Sequence, residues 1–121
     1  MNVLVVCNWG KNRSRYLADY LASKGYDTRT GGLSDRTEIE NRLTQDLVDW
    51  ADVIVIVQKY LEEKLLGNYN VDNKRTIVLE VDDKTGDNIF RPTLDGDAWL
   101  EYQNKFVYPE LKTQIDKYLP L

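Results

Sequence analysis

Apolar and polar residues alternate along this chain in blocks that predict strands and helices in turn. Continuous apolar runs at residues 3–6 and 53–57 predict two strands covered on both faces, because a half-exposed strand would alternate apolar and polar residues. The largely apolar residues 76–81 predict another strand, and residues 26–30, followed by two glycines, predict a further short one. We therefore expect four strands.

Helical spacing of apolar residues predicts the elements between these strands. Leu17 and Leu21 indicate one helix, and shorter helices are expected at residues 44–50, with Thr44 as N-cap, and at residues 59–66. Strands that alternate with helices favour an α/β class, in which a parallel sheet carries helices on both faces and forms three layers.

The last part of the chain predicts helical faces after a long loop that starts at residue 82. Pro109 is expected to kink or break this helical stretch, or to begin a new helix. Trp50 and Trp99 are expected in the core. The apolar residues form two helical faces: Trp99, Tyr102 and Phe106 on one, and Leu111, Ile115, Tyr118 and Leu119 on the other.

Composition narrows the possible functions. The 121 residues suffice for one domain with a core, which we expect to span residues 1–121. A net charge of −4 argues against nucleic acid as a partner, and the lack of a long apolar run argues against a membrane. The single cysteine excludes an internal disulfide and, with no signal peptide recognised, favours a cytoplasmic location. Since the chain has no histidine, proton transfer falls to a carboxylate or, less favourably, to Tyr or Lys. We expect no metal ion and no cofactor.

The strongest chemical signal lies between the first strand and the first helix. The apolar run ends at Cys7, five residues follow, and Arg13 and Ser14 open the helical pattern. Backbone N–H groups in such a loop, with the positive end of the helix dipole, bind a tetrahedral anion and stabilise a thiolate, the nucleophilic form of cysteine. The planar fork of arginine grips two phosphate oxygens. We therefore predict a nucleophile at Cys7 and a phosphate-binding loop, called the anion loop below, formed by Asn8, Trp9, Gly10, Lys11, Asn12, Arg13 and Ser14.

This arrangement resembles the active-site loop of the low-molecular-weight protein tyrosine phosphatases, in which a cysteine ends the first strand and an Arg-Ser pair follows six and seven residues later. Cys7, Arg13 and Ser14 carry the resemblance. It implies a four-stranded parallel sheet in the order 2-1-3-4 and hydrolysis of phosphate monoesters, such as phosphotyrosine or aryl phosphates, through a phosphocysteine. The substrate would be a phosphorylated protein or a small phosphate ester, and the product inorganic phosphate. The chain departs from the family at Asn12, where a second cysteine is frequent, and at Gly10, where asparagine is usual.

The same chemistry needs a carboxylic acid that protonates the leaving group. Asp82 and Asp83 follow the run at 76–81, on the sheet edge expected to carry Cys7, and Asp87 comes later in the loop. In the family the acid is an aspartate of an Asp-Pro pair followed by aromatic residues, after the last strand, and Asp83 lies closest to that position. This chain has Lys84-Thr85-Gly86 there instead, which weakens the case for a phosphotyrosine preference. We predict Asp83 as the acid, with Asp82 and then Asp87 as alternatives.

Other interpretations fit parts of the pattern. Cys7, Gly10 and Ser14 also resemble the cysteine-phosphorylated IIB carriers of sugar phosphotransferase systems, but Arg13 and an acid would drive hydrolysis of the phosphate that a carrier must keep. An arsenate reductase would need an external thiol to resolve its intermediate. A module that binds phosphate without catalysis would lack the acid. A P-loop nucleotide site is disfavoured, because its first glycine would fall at Val5 and neither serine nor threonine directly follows Lys11.

Overall fold

A parallel sheet of four strands organises the molecule, in the order β2-β1-β3-β4. A computed structural model of the protein describes residues 1–35, 39–82 and 96–121. The strands are β1 (Asn2–Cys7), β2 (Asp27–Gly32), β3 (Val53–Ile56) and β4 (Arg75–Val78), and each neighbouring pair is parallel. The predicted α/β class and the strand order 2-1-3-4 are confirmed.

Helices connect the strands and extend the chain beyond them. They are α1 (Arg13–Ser23), α2 (Gln45–Trp50), α3 (Tyr60–Asn68), α4 (Gly96–Tyr102) and α5 (Tyr108–Asp116), with a π-helical turn (Gln103–Val107) between the last two. The predicted N-cap is confirmed, because the Thr44 hydroxyl oxygen accepts a hydrogen bond of 3.2 Å from the Leu47 N–H. Within the described ranges, each helix is too short or too polar to cross a bilayer.

The centre of the core is formed by β1 and β3, whose side chains are apolar on both faces. Residues 3–6 and 54–57 have no exposed surface. The strand order reverses at β1, since the chain continues to β2 on one side and later adds β3 and β4 on the other. In parallel sheets, ligands bind beyond the carboxyl ends of the strands at such a reversal. Cys7, the last residue of β1, lies at this edge.

The backbone that follows β4 stays attached to the sheet. The Leu79 N–H donates to the Ile56 carbonyl at 2.8 Å, and the Val81 N–H donates to the Val57 carbonyl at 2.9 Å. Regular strand structure ends at Val78, although the sequence predicted a strand through residue 81. The chain nevertheless follows β3 as far as Val81, so the next loop begins at the edge that carries Cys7.

Two other elements end later than predicted. β2 continues through Gly31 and Gly32, which pair with Val6 and Cys7. Glycine at position 32 allows the backbone of Trp9 to approach the end of β2 closely, because a Cβ at Gly32 would lie 2.6 Å from the Trp9 carbonyl carbon. α3 runs through Gly67 to Asn68, two residues beyond the predicted end, since a glycine in the last turn weakens a helix without having to end it.

The C-terminal helical segment, residues 96–116, buries Leu111 and Ile115 of the second predicted face but leaves Trp99 and Phe106 of the first exposed. Trp99 was predicted in the core but is 38% exposed, and Phe106 is 53% exposed. The buried residues are spaced by four: Gln103, Val107, Leu111 and Ile115. In an uninterrupted α-helix this spacing drifts by about 40° per step. The π-helical turn between Gln103 and Val107 holds an extra residue and offsets part of this drift, which keeps Gln103 in line with Val107.

Candidate active site

Cys7 brings its sulfur into the anion loop from the end of β1. The Gly10 N–H donates a hydrogen bond to Sγ at 3.1 Å, and Oγ of Ser14 also lies 3.1 Å from Sγ. The thiol is buried. The Gly10 N–H is a donor to the sulfur. The Ser14 hydroxyl accepts from the thiol, and it can rotate to donate once the thiol becomes the nucleophilic thiolate.

Gly10 gives the loop its shape. Its φ of 75° lies in the left-handed region, and a Cβ there would approach the Gly32 nitrogen to 2.7 Å and the Asn41 carbonyl oxygen to 2.9 Å. The Asn41 side chain also donates to the Gly10 carbonyl at 2.7 Å. The loop is thus pressed against the end of β2, which holds the Gly10 N–H on the sulfur.

Arg13, the first residue of α1, is buried beside the loop. Its Nη1 donates to Oε1 of Gln58 and to the carbonyl of Val81, both at 2.7 Å. Gln58 follows β3 and Val81 follows β4, so the carboxyl ends of two neighbouring strands fix the plane of the guanidinium. Sequence reasoning missed Gln58, although its position as the first polar residue after a buried strand was an available signal.

Asn12 is the N-cap residue of α1, but its side chain points to the C-terminal helical segment. Its Nδ2 donates to Oε1 of Gln103 at 2.8 Å, and the Tyr108 hydroxyl donates to its Oδ1 at 2.6 Å. The Tyr108 ring stacks on that of Tyr16, with centroids 4.3 Å apart. Sequence reasoning missed Gln103 and Tyr108 as well, and no local signal marked either residue.

A cavity of about 520 Å³ opens beside the anion loop and has aromatic walls. It is lined by Trp9, Lys11, Asn12, Trp99 and Tyr108. The exposed Trp99 is therefore a wall of this cavity, whereas the sequence predicted a core residue.

Lys11 carries the positive charge on the rim of the cavity. Its Nζ donates to Oε2 of Glu40 at 2.7 Å. This hydrogen bond, together with the charge of the ammonium group, lowers the pKa of Glu40. The local positive charge of the rim is thus partly balanced by Glu40.

The loop that should supply the acid begins next to Arg13. Asp82 is exposed and directly follows Val81, whose carbonyl accepts from Arg13. Asp83 and Asp87 lie outside the described residues. The structure therefore brings together Cys7 and the predicted loop residues from Asn8 to Ser14, and the assignment of Asp83 stays a prediction.

Comparisons with solved structures agree with the topology, whereas comparisons of the sequence find no relative. No family model matches the sequence, and no curated protein matches it either. The chain is similar to a low-molecular-weight phosphotyrosine phosphatase from Vibrio cholerae O395, with a TM-score of 0.65, 15% identity, and coverage of 99% of this chain and 97% of that chain. For the low-molecular-weight protein tyrosine phosphatase from T. tengcongensis, the TM-score is 0.63 and the identity 14%, over 97% of this chain and 99% of that chain.

An enzyme of different chemistry has the same fold. The thioredoxin-dependent arsenate reductase from Corynebacterium glutamicum has a TM-score of 0.53 and 14% identity, over 96% of this chain and 60% of that chain. Strand order and these similarities show that the chain has the fold of the low-molecular-weight protein tyrosine phosphatases. Because an arsenate reductase also has this fold, the reaction must be argued from the residues of the site.

Proposed function

We propose that this protein is a phosphatase that hydrolyses phosphate monoesters through a phosphocysteine on Cys7. The observation that carries the proposal is the surroundings of one sulfur atom. The Gly10 N–H and the Ser14 hydroxyl each lie 3.1 Å from Sγ, and the buried Arg13 opens the helix that follows. These contacts support a nucleophile at Cys7, at the base of a loop suited to a dianionic phosphate.

In the first step, the thiolate attacks phosphorus. The S–P bond forms, the P–O bond to the leaving group breaks, and its electron pair stays on the oxygen, which takes a proton from a carboxylic acid. Loop N–H groups and Arg13 stabilise the equatorial oxygens. In the second step, water attacks the phosphocysteine and gives a proton to the carboxylate. The S–P bond breaks, and inorganic phosphate and the Cys7 thiolate are released.

We assign the acid to Asp83. The assignment is supported by the contact of Val81 with Arg13, since Asp83 follows Val81 by two residues. Asp83→Asn should lower kcat by about 10²–10⁴-fold for phenyl phosphate, the usual contribution of positioned proton transfer. A strongly acidic nitrophenol leaving group needs no proton and should be affected much less. Asp82→Asn and Asp87→Asn remove the same charge from the same loop and serve as controls.

The kinetics of the three variants distinguish between the possible positions of the acid. If the leaving-group effect appears with Asp82→Asn instead, the acid is one residue earlier. Equal and small effects in all three variants would contradict an acid in this loop, and would favour the phosphocarrier or a module that only binds phosphate.

The proposed substrate is an aryl phosphate, either phosphotyrosine in a protein or a small ester. The cavity beside the loop supports this, because Trp9, Trp99 and Tyr108 offer flat faces for an aromatic leaving group. A cysteine that must stay reduced fits the cytoplasm, which we propose as the location.

A second candidate function is arsenate reduction with an external thiol, favoured by the fold shared with the reductase. Two sets of rates separate the two candidates. The first is hydrolysis of phenyl phosphate, a phosphotyrosine peptide and a sugar phosphate, and the second is arsenite formation from arsenate with thioredoxin. We expect turnover of the aryl esters, none with Cys7→Ser, and a phosphorylated chain in acid-quenched samples. Arsenite formation without ester hydrolysis would contradict the proposal.

A further inference from the structure

Asn12 occupies the N-cap position of α1 without capping the helix. Asparagine is a preferred N-cap residue, because its side-chain oxygen accepts a hydrogen bond from an N–H of the first turn. With respect to the described residues, Asn12 makes no such bond. First-turn N–H groups are the ones that a bound anion uses. The unused cap is therefore relevant to the anion loop.

Two residues of the C-terminal helical segment occupy the Asn12 side chain instead. Tyr108 donates to Oδ1, the atom that would cap the helix, at 2.6 Å. Gln103 accepts from Nδ2 at 2.8 Å, which fixes the orientation of the amide. Rotation of Asn12 toward its own helix would break both hydrogen bonds.

The two partners are themselves held in place. Gln103 is fully buried in the π-helical turn, and Tyr108 stacks on Tyr16 of α1 with an angle of 6° between the rings. Burial raises the pKa of Tyr108, with a smaller electrostatic contribution from Tyr16. The Tyr108 phenol therefore remains a protonated donor at neutral pH.

We propose that Gln103 and Tyr108 are positioning residues of the anion loop, which hold the Asn12 side chain away from the first turn of α1 and keep its N–H groups available to phosphate. The inference rests on the proposed function, because it takes phosphate to be the ligand of this loop. Once the Tyr108 hydroxyl is lost, Oδ1 of Asn12 is released, caps its own helix and competes with the phosphate.

Tyr108→Phe tests this directly, because it removes the hydroxyl and keeps the stacked ring. We expect inorganic phosphate to bind roughly threefold to tenfold more weakly, which corresponds to one net hydrogen bond. The Kd is measured as protection of Cys7 from alkylation, a readout that needs no turnover. Tyr16→Phe is the matched control, since it removes the other hydroxyl of the stack and no hydrogen bond to the Asn12 side chain.

Asn12→Ala separates positioning from a general structural effect. Alanine cannot cap the helix through its side chain, so Tyr108→Phe should leave the Kd of phosphate unchanged in an Asn12→Ala background. Gln103→Met should weaken phosphate binding when Asn12 is present, and it should have no effect on phosphate binding in the Asn12→Ala background. Equal losses in both backgrounds would overturn the inference.

The remaining outcomes separate the inference from the proposed function. Wild-type phosphate affinity in Tyr108→Phe, or the same loss in Tyr16→Phe, overturns the inference even if esters are hydrolysed. If phosphate protects Cys7 as expected across the variants but no ester is hydrolysed, the proposed function fails and the inference stands. If phosphate gives wild-type Cys7 no protection, both are overturned.

Discussion

The anion loop and the C-terminal helical segment meet at Asn12, but they are held in place by different kinds of contact. The loop is held by close backbone approach, with Gly10 against Gly32 at a distance that leaves no room for a Cβ. The segment is held by side chains: a buried stripe that continues along α5, and the hydrogen bonds of Gln103 and Tyr108. Close backbone packing admits one conformation, whereas side-chain contacts can be removed one at a time. We therefore expect changes in the loop to abolish function and changes in the segment to act in steps.

The largest effect on activity is expected from a substitution of Arg13, the buried cation of the anion loop. Arg13→Lys should lower kcat/KM for an aryl phosphate by about 10²–10³-fold, the usual cost of losing one preorganised donor to the transition state. A lysine keeps the charge but lacks the planar fork that Gln58 and Val81 orient. Arg15→Lys, the same substitution at an exposed position of α1, should keep wild-type kinetics. Near-normal activity in the Arg13 variant would show that the loop tolerates graded change after all.

A smaller effect, on stability, should follow the buried face of the segment. Leu111→Ala should reduce the free energy of unfolding by about 2–5 kcal/mol, because Leu111 is fully buried. Leu100→Ala is the same substitution in the same segment at a position that is 48% exposed, and it should change stability by less than about 0.5 kcal/mol. Urea denaturation compares the two variants. Equal losses would contradict the assignment of the buried face.

The smallest effect is expected at the exposed pair of Lys11 and Glu40. The lowered pKa of Glu40 means that the pair contributes above the ordinary carboxyl pKa and is lost as the pH falls through the lowered value. Glu40→Gln should therefore leave the melting temperature unchanged at neutral pH, since exposed pairs contribute little. It should lower KM for an anionic ester slightly at low salt, and salt should remove the difference. A large change in KM would make Glu40 part of the site.

The parts of the site that the sequence predicts are those whose partners are close along the chain. Gly10 and Ser14 each contact Cys7, at most seven residues away, so their spacing alone predicts the loop. β1 and β3 follow from continuous apolar runs, because burial on both faces leaves no polar alternation, whereas the largely polar β2 was predicted as a short strand before two glycines. Strand order is not written in such runs, and it was predicted only through the resemblance to a known family.

The parts that the sequence did not predict depend on contacts between distant residues. Gln58 is 45 residues from its partner Arg13, and Gln103 and Tyr108 are 91 and 96 residues from Asn12. A glutamine such as Gln103 is expected at the surface from sequence alone, because the partner that allows its burial is not visible in the sequence. Trp99 was assigned to the core from its helical spacing with Tyr102 and Phe106, but it lines the cavity beside Asn12, a position that helical spacing cannot show.

The π-helical turn makes the contact between the segment and the loop depend on chain length. A π turn contains one residue more than the α turn it replaces. Deletion of Asn104, which is exposed, would rotate the preceding helix by about 100° relative to α5. Gln103 would then leave Asn12, while Leu111 and Ile115 would keep their places in the core. The loss of a single codon would thus remove one of the two hydrogen bonds that hold the Asn12 side chain, while Tyr108 and the core of α5 stay in place.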